Sequence, residues 1–236
     1  AWERWLKRLP ADEMEAHSRL EGSRSNLEAA AEECAEASRQ EAGDFLDVLE
    51  DLLPPADRTL TLRKLNERVL RVRLLLLPSA EKVERAGTLN NLGYALFSLG
   101  KHEKALEAAQ EAADIYRKLA EEDPQAFLPD LATSLSNLGN AHSNLGRREE
   151  ALESAKEAAD IRRKLAEKNP QVFLPDLAGS LNNLGIMLSD LGRWEEALEA
   201  AKEAADSYRK LAERNPQAFL PDLAGSLNNL GIMLSD

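Results

Sequence analysis

The sequence predicts an all-α fold, a solenoid of stacked helical hairpins, and three observations carry that prediction. Phe173–Asp190 reads FLPDLAGSLNNLGIMLSD, and Phe219–Asp236 repeats it residue for residue. Gly100, Gly146 and Gly192, like Pro78, Pro124, Pro170 and Pro216, keep a common step of 46 residues. Self-similarity at a period of that size marks an array in which each unit buries its apolar face on its neighbour. The third observation is composition. Of 236 residues 43% are hydrophobic but only 5% aromatic, with Ala and Leu abundant, which suits closely packed helices rather than a sheet.

Taken in order, residues 1–54 lie outside the repeat and read as a helical N-terminal cap. Trp2, Trp5, Leu6 and Leu9 share one helical face that Pro10 ends, and Asp12–Glu21 forms a second short helical pattern. Ser25-Asn26-Leu27-Glu28 is a capping box, in which Ser accepts from the third helical N–H and Glu reaches back. That helix runs to about Gln40 and closes at Gly43; Asp44 then caps Phe45–Leu53, which Pro54-Pro55 breaks.

Residues 55–86 read as a degenerate leading repeat. Leu62, Leu65, Val69, Val72 and Leu76 step by three and four, an apolar stripe, while Arg63, Lys64, Arg68 and Arg71 lie off it. A basic amphipathic helix can bind acidic lipid or peptide. In a chain of net charge −12, pairing with neighbouring carboxylates is the expectation.

Residues 87–236 are the regular array: three hairpins plus one unpaired first helix. The first helices read LNNLGYALFSLG, LSNLGNAHSNLG, LNNLGIMLSDLG and LNNLGIMLSD. Gly93, Gly139, Gly185 and Gly231 fall mid-helix, where Gly costs roughly 0.5–1 kcal/mol against Ala. Close approach of a neighbouring helix is the expected reason. Gly100, Gly146 and Gly192 follow the last periodic residue, as left-handed C-caps do. Each second helix opens on Glu and carries small residues such as Ala105, Ala109 and Ala112 on one stripe. Asp123-Pro124, Asn169-Pro170 and Asn215-Pro216 then supply a cap and a proline at the first helical position. Pro129, Pro175 and Pro221 come five residues later, too soon for one straight helix. The expectation is a short turn over Gln125–Leu128, with the next first helix starting near Pro129.

The internal motif is specific. Leu92-Gly93, Gly100, Ala105 and Ala112, with the proline downstream, form a pattern that resembles the tetratricopeptide repeat. The LNNLG opening and the long unit are similar to kinesin light chain and to bacterial arrays attached to signalling ATPases or proteases. The resemblance covers Gly87–Asp236 and implies a right-handed α-solenoid whose first helices line a concave surface. Ala109, Ala155 and Ala201 depart from the pattern, standing where a large aromatic often packs.

Enzyme chemistry finds no support. Gly93–His102 lacks the first glycine of a phosphate loop, and Lys101 is followed by His rather than Ser or Thr. His17, His102 and His142 are scattered without metal-ligand spacing, and the carboxylates recur with the repeat as a solvated face does. Cys34 is a lone thiol in an Ala/Glu-rich helix, consistent with a reducing compartment and a cytoplasmic protein. No apolar run reaches the roughly 20 residues of a membrane span; Leu74–Leu77 stops at Pro78, and AWERWLKRLP has no apolar core of a leader. The acidic balance argues against nucleic acid. No catalytic residue, metal site or cofactor is expected.

What the resemblance does imply is a peptide groove. The Asn before each Leu-Gly (Asn91, Asn137, Asn183, Asn229) commonly grips a bound peptide backbone in such arrays. Amide side chains suit this because each offers both a donor and an acceptor. Asn90, Asn182 and Asn228 precede three of them, Ser136 stands at that register in the remaining repeat, and Tyr94, Asn140, Asn144 and Ile186 lie further along the same surface. The same amides could equally tie adjacent helices together. Basic residues of a carboxylate clamp are missing, so a free C-terminal carboxylate is not the expected ligand. The functional expectation is noncatalytic protein–protein recognition. The alternatives are a regulatory fragment of a larger signalling ATPase or protease, and a structural spacer. Leu227–Asp236, a first helix without its second, is expected to self-associate through Leu227, Leu230, Met233 and Leu234.

Overall fold

The computed structural model describes residues 60–78 and 80–235, which form eight helices and no strand. They are α1 (Leu60–Leu76), α2 (Lys82–Ser98), α3 (His102–Glu122), α4 (Pro124–Asn144), α5 (Arg148–Lys168), α6 (Pro170–Asp190), α7 (Trp194–Arg214) and α8 (Pro216–Ser235). The helices expected within residues 1–54, and the cap they would form, lie outside the described residues. The chain divides into two compact units, Ala1–Ile115 and Tyr116–Asp236.

In the first unit, Leu70 of α1 packs with Leu89, Leu92, Ala95 and Leu96 of α2 and with Ala105, Ala108 and Ala112 of α3. Leu65, Val69 and Val72 of the predicted stripe are buried. Of the four cations off the stripe, Arg71 pairs with a carboxylate as expected, while Arg63 Nη1 donates to the Ser98 carbonyl at 3.2 Å. Arg71 Nε donates to Glu67 at 2.8 Å, Lys101 Nζ donates to the other carboxylate oxygen, and Arg73 reaches Glu84 at 3.2 Å. Burial alone would raise Glu67, but hydrogen bonds from Lys101 and Arg71, with their charges, hold its carboxyl below the usual range.

In the second unit, α4 pairs with α5 and α6 with α7, while α5 packs on α6 and α7 on α8. Small residues let these helices lie close. One core joins Leu152, Ala155 and Ala159 of α5, Leu184, Met187 and Leu188 of α6, and Ala197, Ala200 and Ala201 of α7. A second joins Ala178 of α6 to Tyr208 and Leu211 of α7, with Phe219 and Leu223 of α8 against it.

Helix ends follow the sequence with two corrections. Gly100, Gly146 and Gly192 sit at φ 71°, 72° and 70°. The Gly146 N–H donates to the Ser143 carbonyl and the Arg147 N–H to that of His142, the paired closure that left-handed C-caps make. Asp123 accepts from the Gln125 and Ala126 N–H groups at 3.1 and 3.2 Å, and Asn215 accepts from Ala218 at 3.3 Å. Asn169 makes no such side-chain bond, against expectation. The second correction concerns the prolines. There is no turn over Gln125–Leu128: α4 is continuous from Pro124, with Pro129 inside it, and α6 and α8 run likewise through Pro175 and Pro221. Pro129 forfeits only the bond to the carbonyl of Gln125, four residues back. Gln125 is exposed, at the solvent side of the helix start, where an unpaired carbonyl costs little.

Three of the four mid-helix glycines show the expected close approach; a Cβ on Gly231 of α8 would meet nothing within 4 Å. A Cβ on Gly93 would lie 3.4 Å from the Ala105 carbonyl oxygen, one on Gly139 3.2 Å from that of Ala151, and one on Gly185 3.4 Å from that of Ala197. Each of these three first helices therefore rests backbone against backbone on its own second helix.

Candidate functional site

The packing of α4 and α6 over α5 leaves a polar recess between them. Ser136 and Asn140 of α4 and Ser180, Asn183 and Met187 of α6 line it, with Ala155 of α5 below. Its volume is about 10 Å³, room for one water or one ligand oxygen at most. It is too small to enclose a small-molecule ligand.

Of the sequence-predicted residues, Asn140 and Asn183 meet here and both are exposed, with Ile186 exposed beside them and Asn137 half-buried. Two others are held by the array itself. Asn229 Nδ2 donates to Asn182 Oδ1 across α8 and α6 at 3.5 Å, and Asn144 Nδ2 donates to the Asn140 carbonyl at 2.6 Å, one turn back on its own helix. In the first unit Asn90 is half-buried, and Asn91, Tyr94 and Phe97 are exposed on α2. The Phe97 ring tilts against His102 with centroids 5.5 Å apart.

One functional-looking residue escapes the motif search. Arg162 of α5 rises between α4 and α6: Nη1 donates to Ser136 Oγ at 2.9 Å and to Ser180 Oγ, and Nη2 donates to Thr133 Oγ1 at 3.3 Å. Burial lowers its guanidinium from the usual value, and the Asp176 carboxylate draws it back up. The signal was in the register. Tyr116 and Tyr208 occupy the same repeat position, and Thr133 and Ser136 stand where the next repeat has Gly179 and Asn182.

A larger hollow, about 520 Å³, lies between α5 and α7 over Leu181, Leu184 and Leu188 of α6. Two ion pairs link its sides, Lys156–Glu196 at 3.6 Å and Arg163–Glu203 at 3.0 Å, with Arg117–Glu157 in the same register one repeat earlier. Exposed pairs of this kind contribute at most about 1 kcal/mol each.

Two family models for the tetratricopeptide repeat match the sequence, over residues 84–164 and 177–218. The chain belongs to the tetratricopeptide repeat family. No curated protein matches it. Among solved structures it is similar to BtubC (BKLC) from P. vanneervenii, at 21% identity and a TM-score of 0.64 over 92% of this chain and 83% of that one. A candidate kinesin light chain from Podosopora anserina with nearly identical repeats aligns at 18% identity and 0.58, covering 90% and 87%. Aspartyl phosphate phosphatase F from Bacillus subtilis aligns at 18% and 0.52, over 75% of this chain but 44% of its own. At these identities the likeness is one of fold. Tetratricopeptide repeats as a class mediate protein–protein interactions. Among the described residues no helix is long and apolar enough to cross a membrane.

Proposed function

We propose that this tetratricopeptide array is a noncatalytic cytoplasmic scaffold whose first-helix surface holds an extended segment of a partner protein. The observation that carries the reading is the recess between α4 and α6, where the amides of Asn140 and Asn183 and the hydroxyls of Ser136 and Ser180 open beside exposed Ile186. Amides and hydroxyls can each donate to and accept from a peptide bond, so the surface matches a backbone whatever its side chains. Its small size suits one carbonyl oxygen at a time. Ile186 offers an apolar seat for an adjacent side chain. On the first unit Asn91 and exposed Tyr94 supply the same chemistry. Asn144, Asn182 and Asn229 serve the array more than the ligand, since each is engaged within or between helices. Asn90 and Asn137, half-buried, border the surface.

The test starts from partners captured by the full chain and identified by mass spectrometry. The double variant Asn137→Ala, Asn183→Ala should keep its helical circular dichroism and lose the captured partner. Undiminished capture by the folded variant would overturn the groove; loss of folding would assign these amides to the array instead.

A further inference from the structure

Several exposed cations of the second unit ion-pair with carboxylates: Arg117 with Glu157, Arg163 with Glu203, Arg193 with Glu196 and Arg209 with Asp206. Arg162 differs. Among the described residues no carboxylate forms an ion pair with it, and its three hydrogen bonds all go to hydroxyls. A guanidinium has five N–H donors, so Nε–H and one Nη2 hydrogen are left without a protein acceptor. Ser136 and Thr133 in turn donate to the carbonyls of Ala132 and Pro129 at 3.0 and 3.1 Å, which leaves their oxygens facing the arginine as acceptors. The helices flanking Arg162 carry neither Lys nor Arg, only Asp130 on α4 and Asp176 and Asp190 on α6.

The three departures sit in one repeat. The neighbouring positions hold Tyr116 and Tyr208 in place of Arg162, Gly179 and Gly225 in place of Thr133, and Asn182 and Asn228 in place of Ser136. Tyr at this position already fills the space between helices, as buried Tyr208 does. Packing therefore does not ask for an arginine here, whereas placing a cation between α4 and α6 requires one.

We propose that Arg162, oriented by Ser136, Thr133 and Ser180, is a carboxylate-recognition point that selects an Asp or Glu side chain in the segment bound across α4 and α6. Ser136 and Ser180, which accept from Arg162, also line the polar recess, so the guanidinium lies next to the place where Asn140 and Asn183 open. A carboxylate there gains charge-assisted hydrogen bonds from a partly desolvated guanidinium, stronger than neutral ones. Asp176 feels the same charge but makes no hydrogen bond to it, so it does not fill the place. This inference rests on the peptide-groove reading.

The experiment is an NMR titration of the full chain with two probes, acetyl-Ala-Glu-Ala-amide and acetyl-Ala-Gln-Ala-amide, with the Arg162 Nε–H signal assigned through Arg162→Lys. The Glu probe should shift Arg162 Nε–H and the Ser180 and Asn183 amides saturably, and bind roughly tenfold tighter than the Gln probe. The triple variant Arg162→Tyr, Thr133→Gly, Ser136→Asn restores the neighbouring repeats' residues and should bind both probes alike. If both probes move Asn140 and Asn183 equally and leave Arg162 still, charge selection is wrong and the groove survives. If neither moves any signal of α4 or α6, the groove reading falls and this inference with it.

Discussion

Helices α6 and α8 carry the same residues, FLPDLAGSLNNLGIMLS, in two surroundings. Both are continuous helices through an internal proline. Their burial differs by face. Met187 and Met233 are both buried, as are Ser180 and Ser226, because each helix packs on elements that precede it. Leu181 is 0% exposed and Leu227 41%; Leu188 is 2% exposed and Leu234 63%. Those positions in α6 are covered by α5 and α7, and α8 has no following helix among the described residues. Local sequence therefore decides that the segment is helical, while the energetic weight of each leucine belongs to its neighbours. Nearest-neighbour dependence of this kind is what a repeat array is.

Paired substitutions measure the difference. Leu181→Ala should cost about 2–5 kcal/mol, as deletion of a fully buried leucine does, whereas Leu227→Ala, half exposed, should cost less than about 1 kcal/mol. Chemical denaturation of the two variants checks this, and similar losses would break the comparison. Gly185→Leu comes next. Its side chain would meet the Ala197 carbonyl and Met233 Cε, both 3.4 Å from the first added carbon, so overpacking should cost about 1–3 kcal/mol. Nothing lies within 4 Å of a Cβ on Gly231, so Gly231→Ala should gain up to about 1 kcal/mol from helix propensity.

The same pair of helices explains what could be read in the sequence. Hairpins, glycine caps and mid-helix close approaches were legible because each recurs at fixed register, and recurrence separates a constraint from an accident. The continuous passage through Pro129 was not, because its cost depends on whether the Gln125 carbonyl meets water. The amides divided likewise. Asn140 and Asn183 face the recess, and Asn182 and Asn229 tie α6 to α8, a division set by helix rotation rather than residue type. Arg162 hid inside DIRRKL, where the neighbouring repeats read DIYRKL and DSYRKL, visible only by asking which residues break the register together.

The exposed face of α8 sets a third test. Leu227, Ile232 and Leu234 present apolar surface, and the 236-residue polypeptide should associate with itself through them. Met233, expected on that surface, instead packs with its sulfur-borne methyl toward Gly185, and Leu230 is partly buried against the same core. Met233→Glu would therefore damage the fold, and Leu234→Glu is the informative change. Light scattering over a concentration series should show association that Leu234→Glu weakens. A strict monomer up to millimolar concentration would defeat the idea, as would a dimer indifferent to Leu234→Glu.

The smallest effect concerns a third version of the same position. His142 of α4 shares its register with Leu188 and Leu234, so an ionisable ring occupies a place that α6 fills with buried leucine. Its Nδ1 is buried without a hydrogen-bond partner. Burial lowers the imidazole below its ordinary value of 6.5, Glu150 draws it upward and Arg147 pushes it down again. The neutral ring is thus the form the fold accepts. Below pH 6.5 the unfolded chain takes up a proton at this site more readily than the folded one does, and stability falls as pH falls. His142→Leu removes that contribution, although the change of shape adds an offset of its own. The readout is therefore the slope rather than the offset. Between about pH 7.5 and pH 5.5 the melting temperature of the natural chain should drop further than that of His142→Leu. A difference between the two that stays constant over this range would mean that His142 titrates as freely folded as unfolded, and that its place in the leucine register carries no electrostatic cost.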